Sequence, residues 1–200
     1  MINQDKETHQ NDKKRLIGDF YIFESGFSKS EVKRIISICN SFKLDNGQIM
    51  ANDNNVSNIR RSKIAWIPKN ETTFWIYNRL IAMIFEANCT WDFKINEFHQ
   101  VIQYSEYHES YRGCYKCHYD IASSPPGVFR KISVIVQLSN HDEYEGGGVV
   151  LCTPANMENL LSKGIGDVIL FPSFMPHEVL PVTSGKRRSL VLWIEGPPFQ

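Results

Sequence analysis

The chain has 200 residues, of which 42% are hydrophobic, 12% aromatic and 22% charged. This composition excludes a disordered chain, and the length suits one domain with a sizeable core. Lys plus Arg and Asp plus Glu each total 22, so nothing in the net charge calls for a polyanionic partner, and no nucleic acid is expected. No apolar run approaches the roughly 18 residues that cross a bilayer, and Met1–Lys14 lacks the apolar stretch of a signal peptide. A cytoplasmic protein with no membrane contact is therefore expected. Its five cysteines (Cys39, Cys89, Cys114, Cys117, Cys152) are expected to be reduced, the odd number also fitting poorly with a disulfide framework.

Residues 1–15 read as a mobile polar tail ahead of a single domain, 16–200. Phe20-Tyr21-Ile22-Phe23 is a short β-like run. Ser28 then opens a helix, with Glu31 completing a capping box. Val32, Ile35, Ile36, Cys39 and Phe42 recur at helical spacing on one stripe. Asp45 to Asn58 is rich in Asn, Asp and Gly and reads as a loop. A strand over Arg61–Ile67 is closed by Pro68, and a second amphipathic helix follows from Asn70. Its apolar face is assigned to Phe74, Tyr77, Leu80, Ile81, Ile84 and Phe85. Residues 16–92 thus read as helical support.

From residue 93 the texture changes to short runs of Val, Ile, Tyr and Phe between turn signals. The expected strands are Val101–Tyr107, Gly113–Ile121, Arg130–Leu138, Gly148–Leu151, Asp167–Phe171, Glu178–Val182 and Arg188–Ile194. Many short strands with regular turns mean a β-sandwich or barrel. Pro154 to Ser162 suits one or two helical turns.

The chemistry centres on Cys117-His118-Tyr119-Asp120. In an extended strand His118 and Asp120 project from the same face, because side chains alternate. An imidazole and a carboxylate aimed at one point are two-thirds of a facial metal triad, although His-x-Asp alone is a weak signal. Six histidines are available, and His177, at the mouth of a strand after Phe171-Pro172-Ser173-Phe174-Met175-Pro176, is the attractive third ligand. Ten residues beyond it stands Arg187, followed on the same strand face by Ser189. A guanidinium fork binds a carboxylate bidentately, and a nearby hydroxyl can add a hydrogen bond.

As an ordered set these residues resemble the iron(II)/2-oxoglutarate-dependent oxygenases, in their prolyl 4-hydroxylase-like (PKHD-type) branch. Gly113-x-Tyr115-x-x-His118-x-Asp120 is similar to that family's entry strand, and Arg130-Lys131-Ile132-Ser133 and Tyr144-Glu145-Gly146-Gly147 to its middle. Gly166-Asp167-Val168-Ile169-Leu170-Phe171-Pro172-Ser173 and His177-x-Val179-x-Pro181-Val182-Thr183-x-Gly185-x-Arg187 resemble its closing half. The resemblance implies a mainly β fold, a double-stranded β-helix (jelly-roll, cupin-like) core over 93–200 supported by the N-terminal helices. It implies Fe(II) held by His118, Asp120 and His177, with 2-oxoglutarate, O2 and ascorbate as the small-molecule partners. Arg187 would pair with the distal carboxylate of 2-oxoglutarate, assisted by Ser189 and by a tyrosine. Tyr107 matches that tyrosine by position. About two extra residues before the Gly-x-Tyr segment, enough to form a bulge, keep Tyr104, Tyr111 and Tyr115 in contention.

The implied activity is hydroxylation of an unactivated C–H bond, on a prolyl or other residue of a protein, with release of succinate and CO2. The alternatives are a small molecule or free amino acid as substrate, and a metal-binding cupin-like barrel without oxygenase activity. Arg187-x-Ser189 argues against the last, since a metal alone needs no carboxylate fork. Retention of Asp120 disfavours a halogenase. Two rivals use the same stretch: Cys114-x-x-Cys117-His118 matches a c-type haem attachment pattern, and Cys114 with Cys117 could begin a zinc site. Neither gives His177 and Arg187 a role. His99, His108 and His141 read as ordinary strand or loop residues, and Arg188 as a solvated surface arginine.

Overall fold

The structure is a computed structural model and describes residues 14–17, 19–47, 59–96, 101–123, 126–152 and 164–199. Their strands form two antiparallel sheets. The strands are β1 (Lys14–Ile17), β2 (Phe20–Phe23), β3 (Asp45–Asn46), β4 (Arg60–Arg61), β5 (Lys63–Ile67), β6 (Ile102–His108) and β7 (Cys114–His118). They continue with β8 (Phe129–Gln137), β9 (Tyr144–Gly146), β10 (Val149–Leu151), β11 (Val168–Pro172), β12 (His177–Val179) and β13 (Val182–Gly196). The major sheet runs β1-β2-β11-β8-β13-β6-β5-β3, with β9 also paired to β13. The minor sheet runs β10-β12-β7-β4.

Period-two alternation along the major sheet sorts its side chains into two layers. Ile132, Val134 and Val136 of β8, Leu190, Leu192 and Ile194 of β13, and Val168 and Leu170 of β11 face the helices α1 (Lys29–Cys39) and α2 (Phe74–Asn88). The intervening positions face the minor sheet, where Ile135, Ile169 and Phe171 pack with Val149, Leu151 and Val179. Each fully buried aliphatic side chain contributes about 1.5–3 kcal/mol, so the inner face can lose a few positions to polar chemistry while the helix-side layer carries the fold. This is the jelly-roll core with helical support expected from the sequence.

Helix α1 begins as read. Ser28 is its N-cap, its hydroxyl accepting from the Glu31 N–H while the Glu31 carboxylate accepts from the Ser28 N–H. Helix α2 starts later than Asn70, after a turn in which the Asn70 side chain accepts from the Thr72 and Thr73 N–H groups. Its buried face is also rotated: Ile76, Tyr77, Leu80, Met83, Ile84 and Ala87 are buried, whereas Phe74 and Phe85 are exposed. Tyr77, Leu80 and Ile84 of the expected face are buried, and its two phenylalanines are not.

The N-terminal part is more than helical support, because β2 pairs with β11, β5 with β6 and β4 with β7. Lys14 and Arg15, read as tail, lie in β1, while residues 1–13 fall outside the described residues. Asp45 and Asn46 form β3 at the sheet edge, and the rest of that expected loop from residue 48, like the expected helical turn at 154–162, falls outside them. Pro181 supplies no N–H and separates β12 from β13, so the expected strand Glu178–Val182 is divided between the two. Among the described residues no helix is long and apolar enough to cross a membrane.

Candidate metal and co-substrate site

Strands β7 and β12 are neighbours in the minor sheet, with His118 directly opposite His177. Their rings lie 4.3 Å apart. Each imidazole Nδ1 contacts a backbone carbonyl two residues earlier, Lys116 at 2.7 Å and Met175 at 3.0 Å. A carbonyl only accepts, so each Nδ1 donates and each Nε2 is left with a free lone pair. Both Nε2 atoms face Asp120, at 3.6 Å from Oδ1 for His118 and 3.5 Å from Oδ2 for His177. One ligand atom from each of the three residues falls within a 4.8 Å cluster that could hold a metal ion.

The convergence differs from the simple strand alternation expected. β7 ends at His118 rather than continuing to Ile121. Asp120 is placed by its own N–H and that of Ile121, both donating to the Ser173 carbonyl at 3.0 and 2.9 Å. Burial alone would raise the Asp120 pKa, but without a metal the positive charge of the two histidines in their protonated form, together with the Ser133 hydroxyl, outweighs it and holds the carboxyl well below its ordinary range. Burial pushes the His177 pKa down. Two imidazole lone pairs and an ionised carboxylate form a donor set suited to Fe(II) and similar divalent ions.

The second half of the site lies on the inner face of the major sheet. Arg187 pairs with Tyr107 across β13 and β6, and Ser189 pairs with both Ser105 and Gln137. All of these side chains are buried, Arg187 to 1% exposure. One Arg187 nitrogen donates to Gln137 Oε1 at 2.9 Å, whereas its Nε is buried without a hydrogen-bond partner. The guanidinium lies 5.5 Å from the Tyr107 ring centroid. A cavity of about 30 Å³ joins the two halves, lined among others by His118, Asp120, His177, Arg187, Ser189 and Tyr107. It adjoins a groove of about 740 Å³ whose walls include Arg60, Trp66, Tyr119, Asp120, Arg130 and Trp193.

Every residue singled out for metal or co-substrate thus lines one cavity. Among the tyrosines, Tyr104 projects to the helix side and donates to Glu106 at 2.8 Å, and Tyr111 donates to the Glu106 carbonyl. Tyr115 lines the cavity but stacks on His118 at 3.5 Å. The extra residues after Tyr107 form a 3-10 turn, Glu109–Tyr111, ended by Arg112 at φ 47°, so β6 keeps its register through Tyr107. Gly113 lies so close that an added Cβ would meet the Tyr107 Cα at 2.7 Å.

Two cysteine expectations are corrected. Cys117 and Cys152 form a disulfide, while Cys39, Cys89 and Cys114 are free. An odd count forbids complete pairing, not one pair, and here β7 and the residue after β10 come within 6.1 Å at Cα. The bond also removes Cys117 from the haem-attachment and zinc readings. Arg188 is not simply solvated: its Nε lies 3.4 Å from the buried Glu106 carboxylate. Gln137, Ser133 and Ser173 were missed. Ser133 and Gln137 are polar positions two residues either side of Ile135, interrupting the apolar run Ile132–Val136 at period-two spacing, a signal that was legible in the sequence.

A family model described as the 2OG-Fe(II) oxygenase superfamily matches residues 99–195. That stretch, just under half of the chain, is similar to the superfamily. The family's description names Fe(II) and 2-oxoglutarate, and the His118, Asp120 and His177 cluster suits such a metal. Curated relatives include a PKHD-type hydroxylase of Saccharophagus degradans, 33% identical over 75 residues, or 38% of this chain and 33% of that protein. Another, from Parvibaculum lavamentivorans, is 41% identical over 63 residues, or 32% and 28%. The matches therefore span about a third of the relatives' length. Among solved structures, a Pseudomonas putida prolyl-4-hydroxylase superposes with a TM-score of 0.71 at 18% identity, covering 90% of this chain and 94% of that one. A Trichoplax adhaerens prolyl hydroxylase in complex with a hypoxia inducible factor peptide fragment gives 0.70 at 24% identity, covering 88% and 83%. At these identities the structures establish the shared fold.

Proposed function

We propose that this protein is an Fe(II)- and 2-oxoglutarate-dependent hydroxylase acting on an unactivated C–H bond of a prolyl or other residue in a protein. His118, Asp120 and His177 hold the metal, and Arg187 pairs with the distal carboxylate of 2-oxoglutarate, with Ser189 and Tyr107 as further hydrogen-bonding partners. The observation that carries the reading is the buried Arg187, which lines the cavity shared with the histidine–aspartate cluster and whose Nε has no hydrogen-bond partner. A buried cation of this kind calls for an anion, and a cavity beside three metal donors is where a chelating dicarboxylate belongs.

Fe(II), when bound, would supply the redox chemistry by which O2 oxidises both partners, one oxygen atom going to 2-oxoglutarate as it becomes succinate and CO2 and the other to the substrate C–H bond. The protein's own residues orient and shield. The Nδ1 contacts to Lys116 and Met175 fix both imidazole tautomers. Gln137 aims the Arg187 fork. Ile135, Val179 and Val191 give the small cavity an apolar wall. The adjoining groove, flanked by the exposed Trp66 and Tyr119, has room for an extended peptide, in line with the peptide complex of the Trichoplax neighbour.

Anaerobic addition of Fe(II) and then 2-oxoglutarate should produce the visible band of the chelated metal. Folded protein that binds Fe(II) and gives no band would overturn the co-substrate assignment. Peptides with and without proline, assayed for a 16 Da gain (about one oxygen atom), separate a protein hydroxylase from one acting on free small molecules.

A further inference from the structure

Behind Asp120 lies a pair of hydroxyls assigned to neither the metal nor the co-substrate. Ser133, mid-strand in β8, and Ser173, at the turn after β11, are both 0% exposed. Ser133 Oγ donates to Asp120 Oδ2 at 2.7 Å and lies 2.9 Å from Ser173 Oγ. A hydroxyl carries one proton and an ionised carboxylate only accepts. The Ser133 proton therefore goes to Asp120, and the Ser173 hydroxyl donates to Ser133. The bonds run in one direction, Ser173 to Ser133 to Asp120.

Ser173 is also tied to both arms of the metal cluster. Its carbonyl accepts from the N–H groups of Asp120 and Ile121, and its own N–H donates to the Lys131 carbonyl. It leads into the short segment ending at His177. Ser133 is fixed by a central strand, opposite Phe171 on one side and Trp193 on the other. Two buried hydroxyls could merely satisfy each other. Instead they form a chain that ends on one oxygen of the ligand carboxylate.

We infer that Ser133 and Ser173 are positioning residues for metal binding: they lock the Asp120 carboxylate by occupying Oδ2, leaving Oδ1, on the His118 side, as the freer oxygen for the cation. This rests on the reading of Asp120 as a metal ligand. Asp120 needs such support because it lies beyond the end of β7, where no strand pairing fixes it. Ser133 bears directly on the carboxylate and should matter more than Ser173, which acts by orienting Ser133.

The test is titration of the full chain with Fe(II) anaerobically, and with Co(II) followed by its visible bands, without 2-oxoglutarate. Ser133→Ala removes one atom and creates no clash. It should weaken metal binding about 10- to 100-fold, and Ser173→Ala should weaken it less. The same Ser133→Ala change is then made in an Asp120→Ala background, using the residual affinity of the two histidines. If Ser133 acts through Asp120, it changes affinity there by less than about twofold, whereas a general structural role gives the same loss in both backgrounds. Wild-type affinity in Ser133→Ala, or an equal loss in both backgrounds, overturns the proposal. Loss of metal affinity as expected, together with no 2-oxoglutarate band in the wild type, would sink the hydroxylase reading and leave this one standing. A wild-type chain that binds neither ion would sink both.

Discussion

The two sheets build their halves of the cavity in different ways. The minor sheet contributes groups at strand ends: His118 closes β7, His177 opens β12, and Asp120 lies outside any strand. These groups are held by local hydrogen bonds and by the neighbouring Cys117–Cys152 disulfide. The major sheet contributes mid-strand groups, with Arg187, Ser189, Tyr107 and Gln137 set by continuous register. Strand ends let three side chains turn toward one point. Mid-strand positions give a rigid wall on which a fork is held at fixed height. The metal half should therefore answer to local restraints, and the carboxylate half to single buried polar groups.

The largest effect should fall on the wall. Arg187→Ala is expected to weaken 2-oxoglutarate binding more than about 100-fold, while Fe(II) affinity measured without 2-oxoglutarate stays within about threefold. Loss of metal with retained 2-oxoglutarate would reverse the assignment of the halves. Opening the disulfide, by reduction or by Cys117→Ser with Cys152→Ser, tests the other half. Loop-closure entropy for this separation is worth about 3–4 kcal/mol, seen as a fall in Tm of roughly 10 °C, and metal affinity should fall more than 2-oxoglutarate affinity in metal-loaded protein. Gln137→Leu should cost about 1–2 kcal/mol of 2-oxoglutarate binding by leaving the Arg187 fork unguided, measured by calorimetry.

The smallest effect lies on the opposite face of the major sheet and should touch neither half. Burial raises the Glu106 pKa, but hydrogen bonds from Tyr104 and Lys186, with the charges of Lys186 and Arg188, outweigh it and hold the carboxyl below its ordinary value. A carboxyl with a lowered folded pKa adds stability above its unfolded pKa, and that stability fades as pH falls through the folded value. Glu106→Gln should therefore cost about 1 kcal/mol near pH 7, since its partners Lys186 and Arg188 are partly exposed. The gap to wild type should close below about pH 4, as read by denaturant unfolding across pH. A constant gap would mean that the charge is not the source.

Much of this was legible because the signals were local. Ser28 and Glu31 spell a capping box in four residues, and the β-rich half announces itself by short apolar runs between turns. His118, Asp120, His177 and Arg187 were found as an ordered set. What was not legible depends on distant packing. The buried face of α2 is chosen by the sheet beneath it, so exposed Phe74 and Phe85 were misread as core. Cys152 lies 35 residues from Cys117, and no spacing rule joins them. The strand reading of Asp120 failed because Ser173, more than fifty residues on, supplies its hydrogen bonds.

The disulfide also gives the chain a covalent topology. Residues 117–152 form a closed ring that carries His118, Asp120, Ser133 and Gln137, while Tyr107, His177, Arg187 and Ser189 stand outside it. A peptide bond cut anywhere between His118 and Leu151 would leave two pieces still joined through sulfur, migrating as one species without reductant and as two with it. Because His118, Asp120, Ser133 and Gln137 lie inside the ring, a protease nick within it need not separate them from the residues outside.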